Sequence, residues 1–259
     1  MPADQTLTVR IAHDAIAIAA FSRPEAANAL NTQMALELKG FFSALPPSCR
    51  AVILTGEGRH FCAGADLRER RGMDEAAWQA QHHAFEGALR AILDCEVPVI
   101  AAVNGAAFGG GLELALACDF IYAAETARFA FTEATLGIIP GLGGTQTLPR
   151  SIGMARAKEL IFTGKAFSAA EALQWGMVNT LCPPDALLDE AIAAAKTIAA
   201  NAPLAVKAAK RAMNEGSGLP IPEALHCELA HYATLLPTKD RHEGIDAFNE
   251  KRKPHFTGE

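Results

Sequence analysis

Two acidic residues, each next to a glycine-rich stretch, are the parts of this chain best placed to do chemistry. Glu113 follows Gly109-Gly110-Gly111 and begins the apolar run Leu114-Ala115-Leu116-Ala117. An apolar strand pattern from Val97 to Val103 leads into the glycines, and a helix-forming run leads out. A strand, glycine turn and helix in that order present backbone N–H groups that have no intrahelical partner, and such groups can hold a developing oxyanion. Glu113 falls in the first helical turn, where the macrodipole favours the ionised carboxylate, the state a general base needs. A first-turn acid often only complements the helix dipole. Here its neighbours Leu112, Leu114 and Ala115 are apolar, which argues against a solvated face.

Glu133 lies twenty residues further on, in Phe131-Thr132-Glu133-Ala134, and is followed by Pro140-Gly141-Leu142-Gly143-Gly144. Read locally, Thr132-Glu133 could equally start a surface helix. The glycine run lacks the Lys-Ser/Thr of a P-loop, and Gln146 occupies the last position of a dinucleotide fingerprint. No G-x-S-x-G is present, so the nucleophile elbow of an α/β-hydrolase is missing. His82-His83, His226 and His231 show no metal-ligand spacing, and no metal is expected. A third segment, His60-Phe61-Cys62-Ala63-Gly64-Ala65-Asp66-Leu67, follows the strand pattern Ala51 to Leu54 and could supply a second backbone N–H.

The elements around these segments alternate. A hairpin is expected from Thr6 to Ala19 around His13-Asp14, then a helix capped by Asn31 or Thr32 and ended by Pro46-Pro47. Ala51 to Leu54 and Val99 to Val103 read as buried strands on either side of a long helix from Glu75 to Leu93. Phe120 to Ala123, Arg128 to Phe131 and Val178 to Leu181 read as further short strands. Ser168-Ala169-Ala170-Glu171 is a capping box that starts a helix ending near Gly176. This alternation predicts an α/β chain with a largely parallel sheet, and past Asn201 only helices are expected.

Composition narrows the class. A chain of 259 residues that is half hydrophobic can bury a large core. Its net charge of −6 argues against a broad nucleic-acid or anionic-membrane surface. The early apolar run Ala15 to Phe21 is too short to span a bilayer and has no basic region before it. Six cysteines without a C-x-x-C pair read as free thiols, and a cytoplasmic location is expected.

The segments around Ala65, Gly110–Glu113 and Glu133, in this order, resemble the crotonase (enoyl-CoA hydratase/isomerase) superfamily from about Ala15 to Phe256. The resemblance implies a spiral of ββα units over residues 1–200 and a helical oligomerisation region over 201–259, in trimers usually paired into hexamers. It assigns Glu113 and Glu133 as the catalytic acids and the N–H groups of Ala65 and Gly110 as the oxyanion hole. Contacts to coenzyme A are implied for Arg23, Ala26, Ala27, Ala63, Asp66 and Leu67, with Tyr232 and Lys251 reaching a neighbouring subunit's ligand. Glu25 stands where many relatives carry lysine, so its side chain is a poor phosphate contact. The implied substrate is an acyl-CoA thioester, coenzyme A being part of the substrate and no separate cofactor being needed. Retention of both acids favours hydration over isomerisation. A 3-methylglutaconyl-CoA substrate stays open, and the segment Arg68 to Ala91 is expected to help shape the acyl pocket. RNA binding, also implied by one branch of relatives, is disfavoured because Asn31 to Leu45 holds only Lys39.

Overall fold

The computed structural model describes residues 5–259. The chain opens with the expected hairpin, β1 (Leu7–Ala12) pairing antiparallel with β2 (Ile16–Phe21) across a turn where His13 and Asp14 both take positive φ. α1 (Thr32–Ser43) starts at Asn31, whose side chain accepts the Met34 N–H at 2.9 Å. There follow β3 (Ala51–Gly56), the single turn α2 (Leu67–Arg70), α3 (Glu75–Leu93), β4 (Val99–Val103) and β5 (Ala106–Phe108). Then come α4 (Gly110–Ala117), β6 (Phe120–Ala124), β7 (Arg128–Ala130), a 3₁₀ turn at Glu133–Leu136, α5 (Gly144–Ile152) and α6 (Met154–Thr163). β8 (Phe167–Ser168), α7 (Ala169–Gln174) behind its capping box, β9 (Thr180–Cys182) and α8 (Leu187–Ala199) complete the core. The last 57 residues hold only α9 (Pro203–Gly216), α10 (Ile221–Leu235) and α11 (Lys239–Asn249).

Two sheets result. The larger runs β1-β2-β3-β4-β6-β9 and is parallel from β2 onward; the smaller runs β5-β7-β8. The chain lays one strand in the large sheet and the next in the small one, first β4 then β5, afterwards β6 then β7. This is the winding that repeated ββα units produce. Every residue of β4 is buried, as a strand covered on both faces requires.

β5 departs from the sequence expectation, in which the glycine cluster passes from strand straight to helix. Three residues carry no readable period. They become a strand because Ala106–Phe108 pairs with Arg128–Ala130, a contact made only in the folded chain. Likewise the last strand is Thr180–Cys182, one step beyond the apolar stretch from Val178, since pairing with Tyr122–Ala124 sets its register. α9 is fastened to the core by Lys210, whose Nζ donates to the Val97 carbonyl at 2.9 Å and to Asp119 Oδ2 at 2.7 Å. No residue of α10 is buried within the chain.

Candidate active site

The two segments proposed to supply backbone donors are brought together by a short extension of the small sheet. Cys62 pairs with Ala107: the Cys62 N–H donates to the Ala106 carbonyl at 3.0 Å, and the Phe108 N–H to the Cys62 carbonyl at 3.0 Å. Leu30 pairs with Ala65 on the other side. Ala63-Gly64-Ala65 is thereby laid beside Gly109-Gly110. The approach is close enough to demand glycine, since a Cβ on Gly64 would sit 2.9 Å from the Phe108 carbonyl oxygen and one on Gly111 would overlap the Cys62 carbonyl. Ala65 and Gly110 line one cleft, and among the described residues neither N–H donates to a protein acceptor.

Glu113, near the start of α4, is only 2 % exposed. Its Oε1 accepts two backbone N–H groups from the glycine loop, Leu142 at 2.7 Å and Gly144 at 2.8 Å. Gly144 must lack a side chain, because a Cβ there would lie 2.6 Å from the Phe131 ring. The macrodipole favours the ionised carboxylate, and burial in the fold works against it. Burial pushes Glu113 up to about 7 despite the two N–H donors, and the nearby Glu133 carboxylate adds to the rise. Removing a carboxylate from water outweighs a helix-end charge worth at most about 2 kcal/mol.

Glu133 opens the 3₁₀ turn, and it is buried rather than on a surface helix. Its Oε1 lies 2.9 Å from where a Cβ on Gly109 would stand, a residue held at φ 48°. Its Oε2 is buried and has no hydrogen-bond partner. Burial raises this carboxyl as well. An unpartnered buried oxygen aimed at a cleft is costly unless something polar meets it there.

Both acids and both donors line one cavity of about 460 Å³. Its other wall comes from α2, α3 and the loop after the 3₁₀ turn, with Arg70, Trp78, His82, Phe85 and Ile139 facing in. Pocket shaping by the Arg68 to Ala91 segment was expected, but the individual residues were not legible in sequence. Nor is the role of the Gly141–Gly144 loop, which fits no nucleotide motif and clamps Glu113.

The remaining expected residues divide. Ala63 and Leu67 line the cleft. Arg23 and Asp66 are engaged with each other, Nη2 to Oδ2 at 2.9 Å, while Arg23 Nη1 also donates to the Ala29 carbonyl at 2.6 Å. Asp66 caps α2 by accepting the Arg68 and Glu69 N–H groups. Burial pushes its carboxyl up, but Arg23 and the two N–H donors outweigh that and hold it below the usual range. These two side chains brace the loop that carries Ala63 to Ala65. Ala26 and Ala27 form the preceding 3₁₀ turn and its left-handed end and do not line the cavity. Tyr232 on α10 and Lys251 beyond α11 are exposed and away from their own chain's cleft. Glu215, Cys227 and His231 meet across α9 and α10 with ligand atoms within 4.8 Å of one another, a proximity that spacing in sequence does not reveal.

Comparison with known proteins places the fold and the family. The enoyl-CoA hydratase/isomerase family pattern matches residues 12–259. An enoyl-CoA isomerase/hydratase of Mycosarcoma maydis is 43 % identical over 247 residues, covering 91 % of this chain and 90 % of its own. A crotonyl-CoA hydratase of Syntrophomonas wolfei is 42 % identical over 246 residues, covering 93 % and 94 %. The crystal structure of an enoyl-CoA hydratase from Bacillus anthracis superposes with a TM-score of 0.96 at 44 % identity, covering 98 % of this chain and all of that one. With the match running over nearly the whole length and the two-sheet winding shared, the chain belongs to the enoyl-CoA hydratase/isomerase family.

Proposed function

We propose that this cleft adds water reversibly across the 2,3 double bond of an enoyl-CoA thioester, with Glu113 and Glu133 moving the protons. The observation that carries the reading is the pair of buried carboxyls in one cavity with two free backbone donors. Water oxygen bonds to C3 as one carboxylate takes its proton. Electron density moves to the thioester oxygen, where the Ala65 and Gly110 N–H groups hold it. The resulting enolate then collects a proton at C2 from the other acid. The protons balance between water and two carboxyls, so the reaction asks for no redox partner or metal. Raised carboxyl pKa values suit groups that must both take and give a proton near neutral pH.

Assembly as a trimer or a pair of trimers belongs to the same reading. It is supported by α10, where Ile221 is 72 % exposed and Leu229 59 %, and by Phe248 on α11 at 83 %. Large apolar side chains exposed on two terminal helices are what a contact between subunits would cover. Tyr232 and Lys251 are the residues this assembly would bring to a neighbour's ligand, and Arg23, Ala26 and Ala27 would flank its coenzyme A. No described helix is long and apolar enough to cross a membrane. Five buried free thiols fit a reducing, cytoplasmic setting.

The direct test is loss of the enoyl-thioester ultraviolet band when crotonyl-CoA is added, with the 3-hydroxyacyl product identified by mass. Turnover of a 3-enoyl-CoA without hydration would replace hydratase by isomerase.

A further inference from the structure

The terminal helices bring together three side chains for which the cleft has no use. Glu215 stands at the end of α9, and Cys227 and His231 stand on α10. Among the described residues this is the one place where three groups able to ligate a metal converge, each offering an atom within 4.8 Å of the others. Cys227 and His231 are one helical turn apart and so leave α10 on the same face. Glu215 reaches them only because α9 and α10 pack against each other, which histidine spacing along the chain does not announce.

The distances suit one small ion. Cys227 Sγ donates to Glu215 Oε2 at 3.4 Å, and His231 Nε2 lies 2.9 Å from the same oxygen. With metal–ligand bonds of about 2.0–2.3 Å, the edges of a tetrahedral zinc site are about 3.3–3.6 Å, so side-chain shifts of about 1 Å or less would close one here. Charge points the same way. Glu215 sits in the last turn of α9, where the negative end of the helix opposes a carboxylate, and that turn holds no lysine or arginine. Arg211, one turn earlier, is paired with Glu96 instead. The donor set then selects the cation, because Mg²⁺ and Ca²⁺ take oxygen ligands while Zn²⁺ accepts carboxylate, thiolate and imidazole together.

We propose that Glu215, Cys227 and His231 bind Zn²⁺, with water in the fourth position, and that the ion staples α10 to α9. Binding releases the thiol proton and takes the imidazole at Nε2, leaving the ring hydrogen on Nδ1. No residue of α10 is buried within the chain, so a metal tie gives this helix an anchor that packing alone does not. The site is independent of the hydratase reading, since none of the three residues lines the cleft.

The test uses the intact chain, stripped with a chelator and dialysed. Calorimetry with zinc chloride should show one ion per chain. Cys227→Ser, His231→Gln and Glu215→Gln, each shown by circular dichroism to be folded, should weaken binding by at least the roughly 10- to 100-fold that even outer partners of metal ligands are worth. Cobalt(II) in place of zinc should give a thiolate-to-metal charge-transfer band that Cys227→Ser abolishes, and amide exchange in α10 should slow when zinc is added. Absence of binding, or binding of equal strength to a Cys227→Ser, His231→Gln double variant, overturns the site. Cobalt bound without the thiolate band does the same. Zinc bound at these residues with exchange in α10 unchanged overturns the staple.

Discussion

The two walls of the cleft are made of different material. On the α4 side the working groups are backbone: the N–H groups of Ala65 and Gly110 stand open, and those of Leu142 and Gly144 hold Glu113. Glycines there are fixed by steric need, because Gly64, Gly109 and Gly144 each stand too close to another group to carry a Cβ. On the α2–α3 side the lining is side chains, Arg70, Trp78, His82 and Phe85, carried on helices whose backbones have their own partners. Backbone geometry can be kept while side chains change. A cleft built this way can hold its reaction constant and vary what it binds.

The strongest test of that division is removal of the acids. Glu113→Gln and Glu133→Gln are each expected to cut crotonyl-CoA hydration by about 10²–10⁴ while leaving coenzyme A binding largely intact. The double variant should lose much less than the product of the two, since groups acting as a unit are non-additive. Steady-state kinetics and calorimetry with coenzyme A measure both. Hydration surviving Glu133→Gln but not Glu113→Gln would make Glu133 a bystander. Next comes Gly110→Pro, which deletes one donor and should reduce kcat by about 10²–10³ in protein shown by circular dichroism to be folded. Near-native turnover would put the oxyanion donor elsewhere.

Glu113 also marks where the backbone-built wall gives up stability. Its carboxyl binds a proton more tightly folded than unfolded, so the stability this confers is full below the ordinary value of 4.5 and is lost as pH rises through about 7. Glutamine keeps the acceptor for Leu142 and Gly144 but cannot ionise. Glu113→Gln should therefore be more stable than the native chain by about 3 kcal/mol at pH 8, with the gain vanishing near pH 4. Urea titrations at the two pH values check this, and a gain independent of pH would point to packing rather than charge. The smallest effect belongs to the other wall. Trp78→Ala should raise KM for a six-carbon enoyl-CoA by roughly 3- to 10-fold with kcat little changed, because it removes binding shared by ground and transition states. A large drop in kcat would show that the α2–α3 wall also takes part in the chemistry.

Much of the frame was legible in the residues. α3 spans Glu75–Leu93 and β4 spans Val99–Val103, both as expected, because a long period and a fully apolar run are local signals. The Ser168–Glu171 capping box is present with both of its bonds for the same reason. Glu113 could be named from its setting beside a glycine turn; Glu133 was named through the resemblance of three short segments, which also supplied the spiral that periodicity alone could not.

What the sequence by itself determined is the order of strands and helices and the chemical types available to a site, since each depends on neighbours a few residues apart. Tertiary structure decided the rest. It made Ala106–Phe108 a strand by pairing it with β7, and it carried Cys62 to Ala107 so that two N–H groups share one cleft. It made the Gly141–Gly144 loop, to which no phosphate motif could be assigned, the clamp on a carboxyl 29 residues away. The acidity of Glu113 follows the same rule: the helix dipole is written in sequence, but burial is a sum over the whole fold, and it moves the carboxyl upward.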